Sequence, residues 1–342
     1  MGRATGVTIR DVAHRAGVSI AAVSMALNDT GTLSAATRAR VRAVAEEMEY
    51  QADALARGLR RSSVGAIGLV VRSLDEQETY ELPGVDIFTR YIGAGSVAAM
   101  SRGLSLMLVP DLTKAPTPPL ALSLDGYIVL LPHAADPVIA LLQRRHIPYV
   151  TLARDPHRPD FVDWAAEDDV ASTRRVLDHL RSSGAHSIAL LQGTESNAWN
   201  IDCELSYRSW CAAHVTEPRV YSASEASGET GGEAMARHIV ADGVPDAIVC
   251  QTGAQAAGML VGLAGLGVSV PERTLLATLS DSENARRSRP AITALELNPT
   301  ATMNALVDLL QARIAGLPSA GPILTNTRLR VRASSRRAEA HG

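Results

Sequence analysis

Apolar residues along the chain follow two different patterns. Up to about residue 60 they recur at helical spacing, whereas in the rest of the chain they come in short continuous runs. Within SAATRARVRAVAEEMEY, the side chains of Val41, Val44, Ala45 and Met48 fall on one face of a helix that Ser34 begins. The change of pattern predicts a small helical unit at the N-terminus, followed by a body of another fold class.

The segment TIRDVAHRAGVSIAAVSMALN has the spacing of a helix-turn-helix. Ala13 is small enough for two helices to approach, Gly17 supplies a turn that needs a positive φ, and Val23 fills the interface between the helices. Thr8 and Ser19 lie where the helices begin, with hydroxyls that can cap free N–H groups. An ordinary helical hairpin shares the Ala/Gly/Val spacing, so spacing alone leaves that alternative open.

Short apolar runs suited to parallel strands that are covered on both faces make up much of the remaining chain. The predicted strands are 64–71, 104–109, 125–131, 147–153, 187–192, 246–250 and 274–279. Helices are predicted between them, near 92–102, 136–145, 170–183, 203–214 and 254–266. This alternation predicts two doubly wound α/β lobes.

Several short motifs at the N-terminus resemble the lactose/galactose repressor family of bacterial transcription regulators. The matching residues are Val7-Thr8-Ile9-x-Asp11-Val12-Ala13, Ala16-Gly17-Val18-Ser19, Val23-Ser24, Leu27-Asn28, Ser34, Thr37-Arg38, Tyr50 and Ala54-Leu55-Ala56-Arg57-x-Leu59. The resemblance extends more weakly over the whole length. It implies a small all-α helix-turn-helix headpiece plus an α/β periplasmic-binding-protein-like body of two doubly wound parallel-sheet lobes.

The resemblance also implies a division of the chain into four parts. We expect a DNA-binding headpiece in residues 1–52, a hinge helix in 53–62, an effector-binding and dimerisation domain in 63–335, and a disordered tail in 336–342. Within the body, the chain is expected to cross between the lobes near 155–163, 290 and 320.

The family implies DNA contacts from the headpiece and the hinge. Ile20, Ala21 and Met25 fall where the recognition helix faces the major groove, and because all three are apolar we expect contacts with thymine methyl groups. Contacts with phosphates are expected from Ser19, Ala22, Ser24, Asn28 and Thr37. The other DNA-binding candidates are Thr8, Ser34, Arg38, Tyr50, Ala56 and Leu59, of which Leu59 would wedge into the minor groove.

Ligands of open parallel sheets bind at the carboxyl ends of the strands, so the cleft between the lobes is the predicted effector site. The candidate residues are Phe88, Arg154, Asp168, Asn197, Trp199, Cys203 and Asp281. Cys203 stands where the family has an arginine and Gly253 where it has an aspartate, which weighs against standard sugar or carboxylate recognition. Purely structural roles stay open for several of these residues. Trp199 could cover an apolar edge, and Cys203 could be a core residue. Phe88 and Tyr91 could stack on a ring-shaped effector or anchor their helix.

Charge is distributed unevenly along the chain. Residues 1–62 carry nine arginines and six acids, a net charge of +3, while the remainder carries 24 basic and 30 acidic residues. A basic head on an acidic body suits a polyanion held at one end, although a solvated surface gives the same asymmetry.

Motifs for enzymes are missing from the sequence. It contains no GxxxxGK[ST], GxSxG or HExxH, and the run Gly262-x-x-Gly265-x-Gly267 is interpreted as helix punctuation. The odd number of cysteines without metal-ligand spacing indicates reduced thiols, so no metal and no cofactor are expected. No apolar stretch predicts export or membrane insertion, which favours the cytoplasm and excludes a membrane partner.

Together these features predict a homodimeric, sequence-specific transcription repressor. It would bind a pseudopalindromic site on double-stranded operator DNA and respond to a small-molecule effector such as a sugar or another small polar metabolite. Two alternatives remain: a small-molecule binding protein without a DNA function, and an enzyme fused to a helix-turn-helix head.

Overall fold

The computed structural model describes residues 7–27, 29–48, 50, 63–71, 86–114 and 116–337. The chain divides into two compact units, with the boundary between Val64 and Gly65. The hinge helix expected at 53–62 lies outside the described residues, as does most of the tail expected at 336–342. None of the described helices is long and apolar enough to cross a membrane.

The first unit is a three-helix headpiece formed by α1 (Ile9–Ala16), α2 (Ile20–Leu27) and α3 (Ala35–Glu47). Gly17 ends α1 with a left-handed φ of 63°, as its place in the turn predicts. Ala13 and Val23 lie in the shared core together with Val41. The small core closes because each helix contributes one apolar face to it.

The second unit, the body, contains two lobes built around separate sheets. Lobe 1 is formed by β1 (Ala66–Val70), α4 (Asp86–Met100), β2 (Ser105–Val109), β3 (Gly126–Leu130), α5 (Pro137–Arg144), β4 (Tyr149–Leu152), β5 (Trp164–Glu167), α11 (Pro299–Ile314) and β11 (Ile323–Thr325). Its sheet has the order β11-β5-β4-β3-β1-β2, and every pairing in it is parallel. Ile128 packs on one face and Tyr127 and Val129 on the other, which explains why β3 is apolar throughout.

Lobe 2 repeats this plan. It is formed by α6 (Asp169–Ser182), β6 (Ile188–Gln192), α7 (Ala198–Ala213), β7 (Arg219–Ser222), α8 (Gly228–Ala241), β8 (Ala247–Cys250), α9 (Gly253–Gly265), β9 (Leu275–Thr278), α10 (Glu283–Arg287), β10 (Thr293–Glu296) and β12 (Arg328–Arg330). The sheet order is β12-β10-β9-β8-β6-β7, and β12 alone among these strands is antiparallel to its neighbour. The predicted fold class of two doubly wound lobes is therefore confirmed.

The chain crosses between the lobes three times, each time several residues later than expected. The crossings lie at Asp168, between Glu296 and Pro299, and between Thr325 and Arg328, instead of near 155–163, 290 and 320. The first difference arises because WAAE forms β5 of lobe 1, so the chain stays in that lobe through Glu167. The other two arise because β10 and β11 also complete their sheets before the chain leaves.

Candidate functional site

Helix α2 of the headpiece presents one face to the core and one to solvent. Val23 and Ala26 are fully buried, whereas Ile20 is 42% exposed and Ala21 is exposed as well. Single exposed apolar side chains are ordinary on protein surfaces, but Ile20 begins the second helix of the predicted helix-turn-helix, where the sequence predicts DNA contacts. Met25 is partly exposed, and its sulfur fills the space that a Cβ of Gly31 would need.

Hydroxyl groups cap the starts of all three headpiece helices. Thr8, Ser19 and Ser34 each accept a hydrogen bond from the backbone N–H three residues further on, at 3.4, 3.1 and 3.1 Å. Thr8 also forms a capping box with Asp11, whose carboxylate accepts from the Thr8 backbone N–H at 2.7 Å. These exposed helix ends combine free N–H groups with a partial positive charge, a combination that suits phosphate oxygens.

Arg38 and Tyr50, two of the predicted DNA contacts, have roles within the headpiece. The Arg38 guanidinium donates to the carbonyl of Met25 and to the carboxylate of Asp29, both at 3.2 Å, and its side chain is 20% exposed. Tyr50 packs against the headpiece core. Both residues therefore have a structural role within the headpiece, and their contact with DNA stays a prediction.

The remaining DNA-binding candidates fall into two groups. Ala22, Ser24 and Thr37 are partly exposed, and the Thr37 hydroxyl lies 2.8 Å from Ser34 Oγ, beside the start of α3. Asn28, Ala56 and Leu59 lie outside the described residues.

The body contains a cleft between its two lobes, at the carboxyl ends of the strands. On the lobe 1 side it is lined by residues that end or follow β1, β3, β4 and β5, and on the lobe 2 side by segments that follow β6, β7 and β8. Leu131 and Ala153, directly after β3 and β4, line the cleft and have positive φ angles of 42° and 68°. Left-handed backbone at such residues is uncommon and clusters at functional sites.

Aromatic and aliphatic side chains form much of the cleft wall. Phe88 and Tyr91 of α4 and Trp199 of α7 line it, and Leu130 and Leu152 contribute from lobe 1. Phe88 and Tyr91 pack against the lobe 1 core, and Trp199 packs against the lobe 2 core, so each lobe fixes its own part of the wall. The cleft can thus enclose an apolar group.

Four carboxylates form much of the polar lining. Glu167, at the end of β5, accepts from Tyr91 Oη at 2.7 Å and from Thr302 Oγ1 at 3.0 Å. Burial, followed by the charge of Glu167, raises the pKa of Tyr91 well above its usual value, so this hydroxyl keeps its proton and donates. Glu225 accepts from the backbone N–H of Thr194 at 3.1 Å and from Asn200 Nδ2 at 2.7 Å.

Asp169 and Glu195 complete the acidic lining. Asp169 keeps some exposure to the cleft, yet protein surrounds it closely. Burial, with added repulsion from Glu167, Asp202 and Asp168, raises the pKa of Asp169 well above its ordinary value. Glu195 lies 3.4 Å from His133 Nε2.

Contacts across the cleft join the two lobes at its rim. Arg154 of lobe 1 makes a two-point ion pair with Asp202 of lobe 2, at 2.5 and 3.1 Å. The His133–Glu195 pair also bridges the lobes, and beside it the Ala134 backbone N–H donates to the Ser196 carbonyl at 3.3 Å. These contacts hold the two lobes together at this rim.

Phe88, Asn197 and Trp199 line the cleft, whereas Arg154 lies at its rim and the remaining candidates, Asp168, Cys203 and Asp281, are not among its lining residues. Asn197 caps the start of α7 by accepting from the Asn200 backbone N–H at 3.1 Å. Arg154 is bound by Asp202 at the rim. Asp168 caps α6 through the Ala171 backbone N–H at 2.9 Å.

Cys203 and Asp281 do not line the cleft, for different reasons. Cys203 is 1% exposed in the lobe 2 core, and burial raises the pKa of its thiol well above the usual value. Asp281 is 3% exposed and accepts two hydrogen bonds from Arg332, at 2.8 and 2.9 Å, and one from Arg286 at 3.0 Å. A carboxylate occupied in this way has little capacity left for a ligand.

The four acidic lining residues and His133 are not among the residues that the sequence predicts for the cleft. Glu167 and Asp169 flank the first crossing, which was expected several residues earlier, and a correct assignment of β5 would have placed both at the cleft. Glu225 lies in a short 3₁₀ turn, Glu225–Ser227, and reaches the cleft through tertiary contacts that no local pattern reveals. Within the described residues, no group of three His, Cys, Asp or Glu side chains is placed to hold a metal ion.

Comparison with known proteins gives matches in both units. The model of bacterial regulatory proteins of the lacI family matches residues 8–53, and the model of the periplasmic binding protein-like domain matches residues 177–335. Among curated proteins, the HTH-type transcriptional repressor PurR of Klebsiella pneumoniae (strain 342) is 26% identical over 316 residues, covering 90% of each chain. PurR of Proteus mirabilis (strain HI4320) is 28% identical over 297 residues, covering 84% of each chain.

Solved structures match the fold over nearly the whole length. The lac repressor dimer bound to operator and the anti-inducer ONPF aligns with a TM-score of 0.80 at 21% identity, covering 97% of this chain and 100% of that one. The transcriptional regulator CelR in complex with cellobiose aligns with a TM-score of 0.71 at 23% identity, covering 96% and 99%.

A helix-turn-helix headpiece together with a two-lobed periplasmic-binding-protein-like body defines a transcription regulator with an effector-binding domain. The curated relatives are repressors by name, not enzymes. The chain belongs to the lactose/galactose repressor family of bacterial transcription regulators.

Proposed function

We propose that the protein is a cytoplasmic, homodimeric repressor that binds a pseudopalindromic operator and is controlled by a small molecule in the interlobe cleft. The observation that carries the DNA-binding part is the outward face of α2, where Ile20 and Ala21 are exposed while the opposite face is buried in the headpiece core. Two identical headpieces require a site with matching symmetry, because the symmetry of a dimer imposes it on the DNA.

The chemistry of α2 supports a particular mode of base reading. Ile20, Ala21 and Met25 have no hydrogen-bonding side-chain groups, so they cannot form bidentate pairs with guanine or adenine. They favour contacts with thymine methyl groups, while the capped helix ends position the headpiece on phosphates. The preferred operator half-site is therefore expected to present thymines to α2.

The effector part rests on the cleft geometry. Phe88, Asn197 and Trp199 line an enclosed space at the carboxyl ends of parallel strands, which is the usual ligand position in such folds. A ligand held by both lobes would change the balance between closed and open lobes and so shift the population of the DNA-binding state. The buried thiols of the three cysteines suit a reducing compartment.

Selection of DNA sites from a random pool tests the DNA-binding proposal directly. The purified full-length protein is expected to enrich one pseudopalindromic sequence, and Met25→Arg is expected to enrich a different one with a guanine facing residue 25. Arg40→Ala, which removes an exposed arginine elsewhere in the headpiece, is the control and should weaken binding without changing the consensus. An identical consensus for wild type and Met25→Arg would show that this face of α2 does not read the bases.

A further inference from the structure

The interlobe cleft has an unusual balance of charge for a site that binds a small molecule. Among its described lining residues are four carboxylates, those of Glu167, Asp169, Glu195 and Glu225, and neither a lysine nor an arginine. His133 is the one basic side chain in this lining, and it pairs with Glu195. The nearby Arg154 is bound by Asp202. Three of the four carboxylates thus have no basic partner among the described residues.

The groups that bind two of these carboxylates are neutral. Glu167 accepts from the hydroxyls of Tyr91 and Thr302, and Glu225 accepts from backbone N–H groups and from the Asn200 amide. Both glutamates are 6% exposed. Neutral donors fix the position of a buried carboxylate but leave its negative charge in place, so a charge of opposite sign remains favourable nearby.

Asp169 differs because none of the described residues gives it a hydrogen bond or an ion pair. It starts α6 beside the helix cap Asp168, and its surroundings include the charges of Glu167 and Asp202. Burial and this repulsion raise its pKa, as described above. The cleft therefore holds an acidic group that lacks a compensating partner among the described residues, and a cation would supply one.

The aromatic lining points to the same kind of ligand. Trp199, Phe88 and Tyr91 line the cleft, and in the described part of the chain no arginine or lysine lies over their rings. The faces of aromatic rings attract cations, and this attraction is strongest where water is excluded. The same rings and the neighbouring leucines would cover an apolar body attached to the cationic group.

We propose that the effector is an organic cation, an ammonium or amidinium group carried on a compact apolar body. The cationic group would lie among Asp169, Glu167 and Glu225, and the apolar body would lie between Phe88 and Trp199. This inference rests on the proposed function of the cleft as the effector site. A neutral polyol could also donate hydrogen bonds to these carboxylates, but it would leave their negative charge in place, so a cation is the favoured ligand.

Pairs of molecules that differ in charge but not in shape test this proposal on the full-length protein by titration calorimetry at neutral pH. The pairs are phenethylamine with 2-phenylethanol, benzamidine with benzamide, and choline with 3,3-dimethylbutan-1-ol. Glucose, cellobiose and benzoate represent neutral polyols and anions. We expect at least one cation to bind about tenfold more tightly than its neutral partner and more tightly than every polyol or anion.

Asp169→Asn keeps the size of the side chain and removes its charge. In this variant we expect the affinity for the cation to fall about fivefold or more, while the affinity for the neutral partner stays unchanged. Asp160→Asn, which removes an exposed carboxylate outside the cleft, is the matched control and should leave both affinities unchanged. Asn in place of a carboxylate with a raised pKa is not expected to impair folding.

The proposal is overturned if no cation binds more tightly than its neutral partner, or if a polyol or an anion binds more tightly than all the cations. An unchanged affinity of Asp169→Asn for the preferred cation would overturn the position given to the cationic group. DNA binding measured on the same samples separates this inference from the proposed function. Specific DNA binding without a preference for cations refutes the ligand class alone, whereas absence of specific DNA binding refutes the regulator itself.

Discussion

Asp281→Ala is predicted to destabilise the body by about 3 kcal/mol without changing the affinity of the cleft for its ligand. In lobe 2, Asp281 follows β9 and is 3% exposed. Its carboxylate accepts from both terminal nitrogens of Arg332, which also donates to the carbonyl of Ile292 at 2.7 Å. The aspartate therefore ties the turn after β9 to the C-terminal segment.

The magnitude follows from the burial of the two partners. Removing one member of a buried ion pair costs about 3–5 kcal/mol because it leaves the other charge buried without compensation. The Arg332 side chain is 18% exposed, so water can solvate it in part, and we take the lower end of that range. Arg286, the second partner of Asp281, is 45% exposed, and exposed pairs contribute about 0–1 kcal/mol.

Urea unfolding at pH 7 measures this effect, with Arg286→Ala as the control. We expect a loss of about 3 kcal/mol for Asp281→Ala and less than about 1 kcal/mol for Arg286→Ala, with a fall in Tm of about 2–4 °C per kcal/mol. The reasoning would be refuted if Asp281→Ala kept its full free energy of unfolding but lost its response to a cleft ligand. That result would make Asp281 an effector contact.

Acid pH provides a second check on the Asp281 pair. Burial alone would raise the pKa of Asp281, but the hydrogen bonds and charge of Arg332, aided by Arg286, bring it below the ordinary value of 3.8. A carboxyl group with a lowered pKa stabilises the folded state above the unfolded pKa and loses this effect as the pH falls through the folded pKa. The difference between wild type and Asp281→Ala should therefore be full at pH 7 and shrink below about pH 3.8.

Three further substitutions test the cleft and the hinge. Trp199→Ala should weaken the effector response about tenfold or more in a DNA-binding titration while leaving operator affinity without effector unchanged, and an equal loss of both would indicate a folding role for this residue. Asp169→Asn should raise the Tm at pH 7. A carboxyl group with a raised pKa stabilises the folded state below its unfolded pKa of 3.8 and loses that stability as the pH rises through the folded pKa. Calorimetry should therefore show the gain in Tm at pH 7 and its disappearance near pH 3.8. Leu59→Ala should reduce operator affinity and DNA bending in a gel-mobility assay. A side chain wedged into the minor groove costs about a few kcal/mol of base unstacking, and the contacts that the bent DNA permits offset this cost. Unchanged bending would refute the wedge.

The headpiece could be predicted in detail because its signals are local. Thr8 lies three residues before the Asp11 carboxylate that completes its capping box, and Gly17 adopts the positive φ expected of a turn residue. The side chains that form the core, among them Ala13, Val23 and Val41, recur at helical spacing. Local geometry and apolar periodicity agree here, so the pattern specifies the structure without tertiary information.

The glycine-rich helix α8 shows where prediction from local sequence patterns fails. The segment GETGGEAMARHIVA has three glycines, and no helix was expected there. In the structure one of them, Gly232, serves helix packing, because a Cβ there would collide with the carbonyl of Gln255 in α9. Gly258 of α9 serves the same contact, because a Cβ on it would collide with the carbonyl of Glu229 in α8. Gly262, interpreted as helix punctuation, also packs inside this contact, whereas Gly267 follows the helix with a φ of 72°. Close backbone approach depends on the partner helix, which the local sequence does not contain.

The position of the effector cleft could be predicted from the sequence, but the charge of its lining could not. Topology alone puts the ligand at the carboxyl ends of the strands, and this rule brought Phe88, Asn197 and Trp199 to the cleft. Ion pairing cannot be derived from topology. A charged residue near the cleft is available to a ligand only when no protein group of opposite charge binds it, and topology does not show which groups pair. Arg154 and Asp281 are both bound in this way, one by Asp202 and the other by Arg332.

The same pairing explains why family resemblance transfers the place of the ligand but not its class. The body uses Arg154, the basic side chain expected in the cleft, to join its two lobes at the rim, and it has Cys203 where the family has a second arginine. Glu167 and Glu225 remain in the lining, held by neutral donors. The net charge of an enclosed site selects its ligand by electrostatic complementarity. With Arg154 paired at the rim and Cys203 in place of an arginine, the carboxylates of this cleft favour cations over the anions that an arginine-lined cleft would bind.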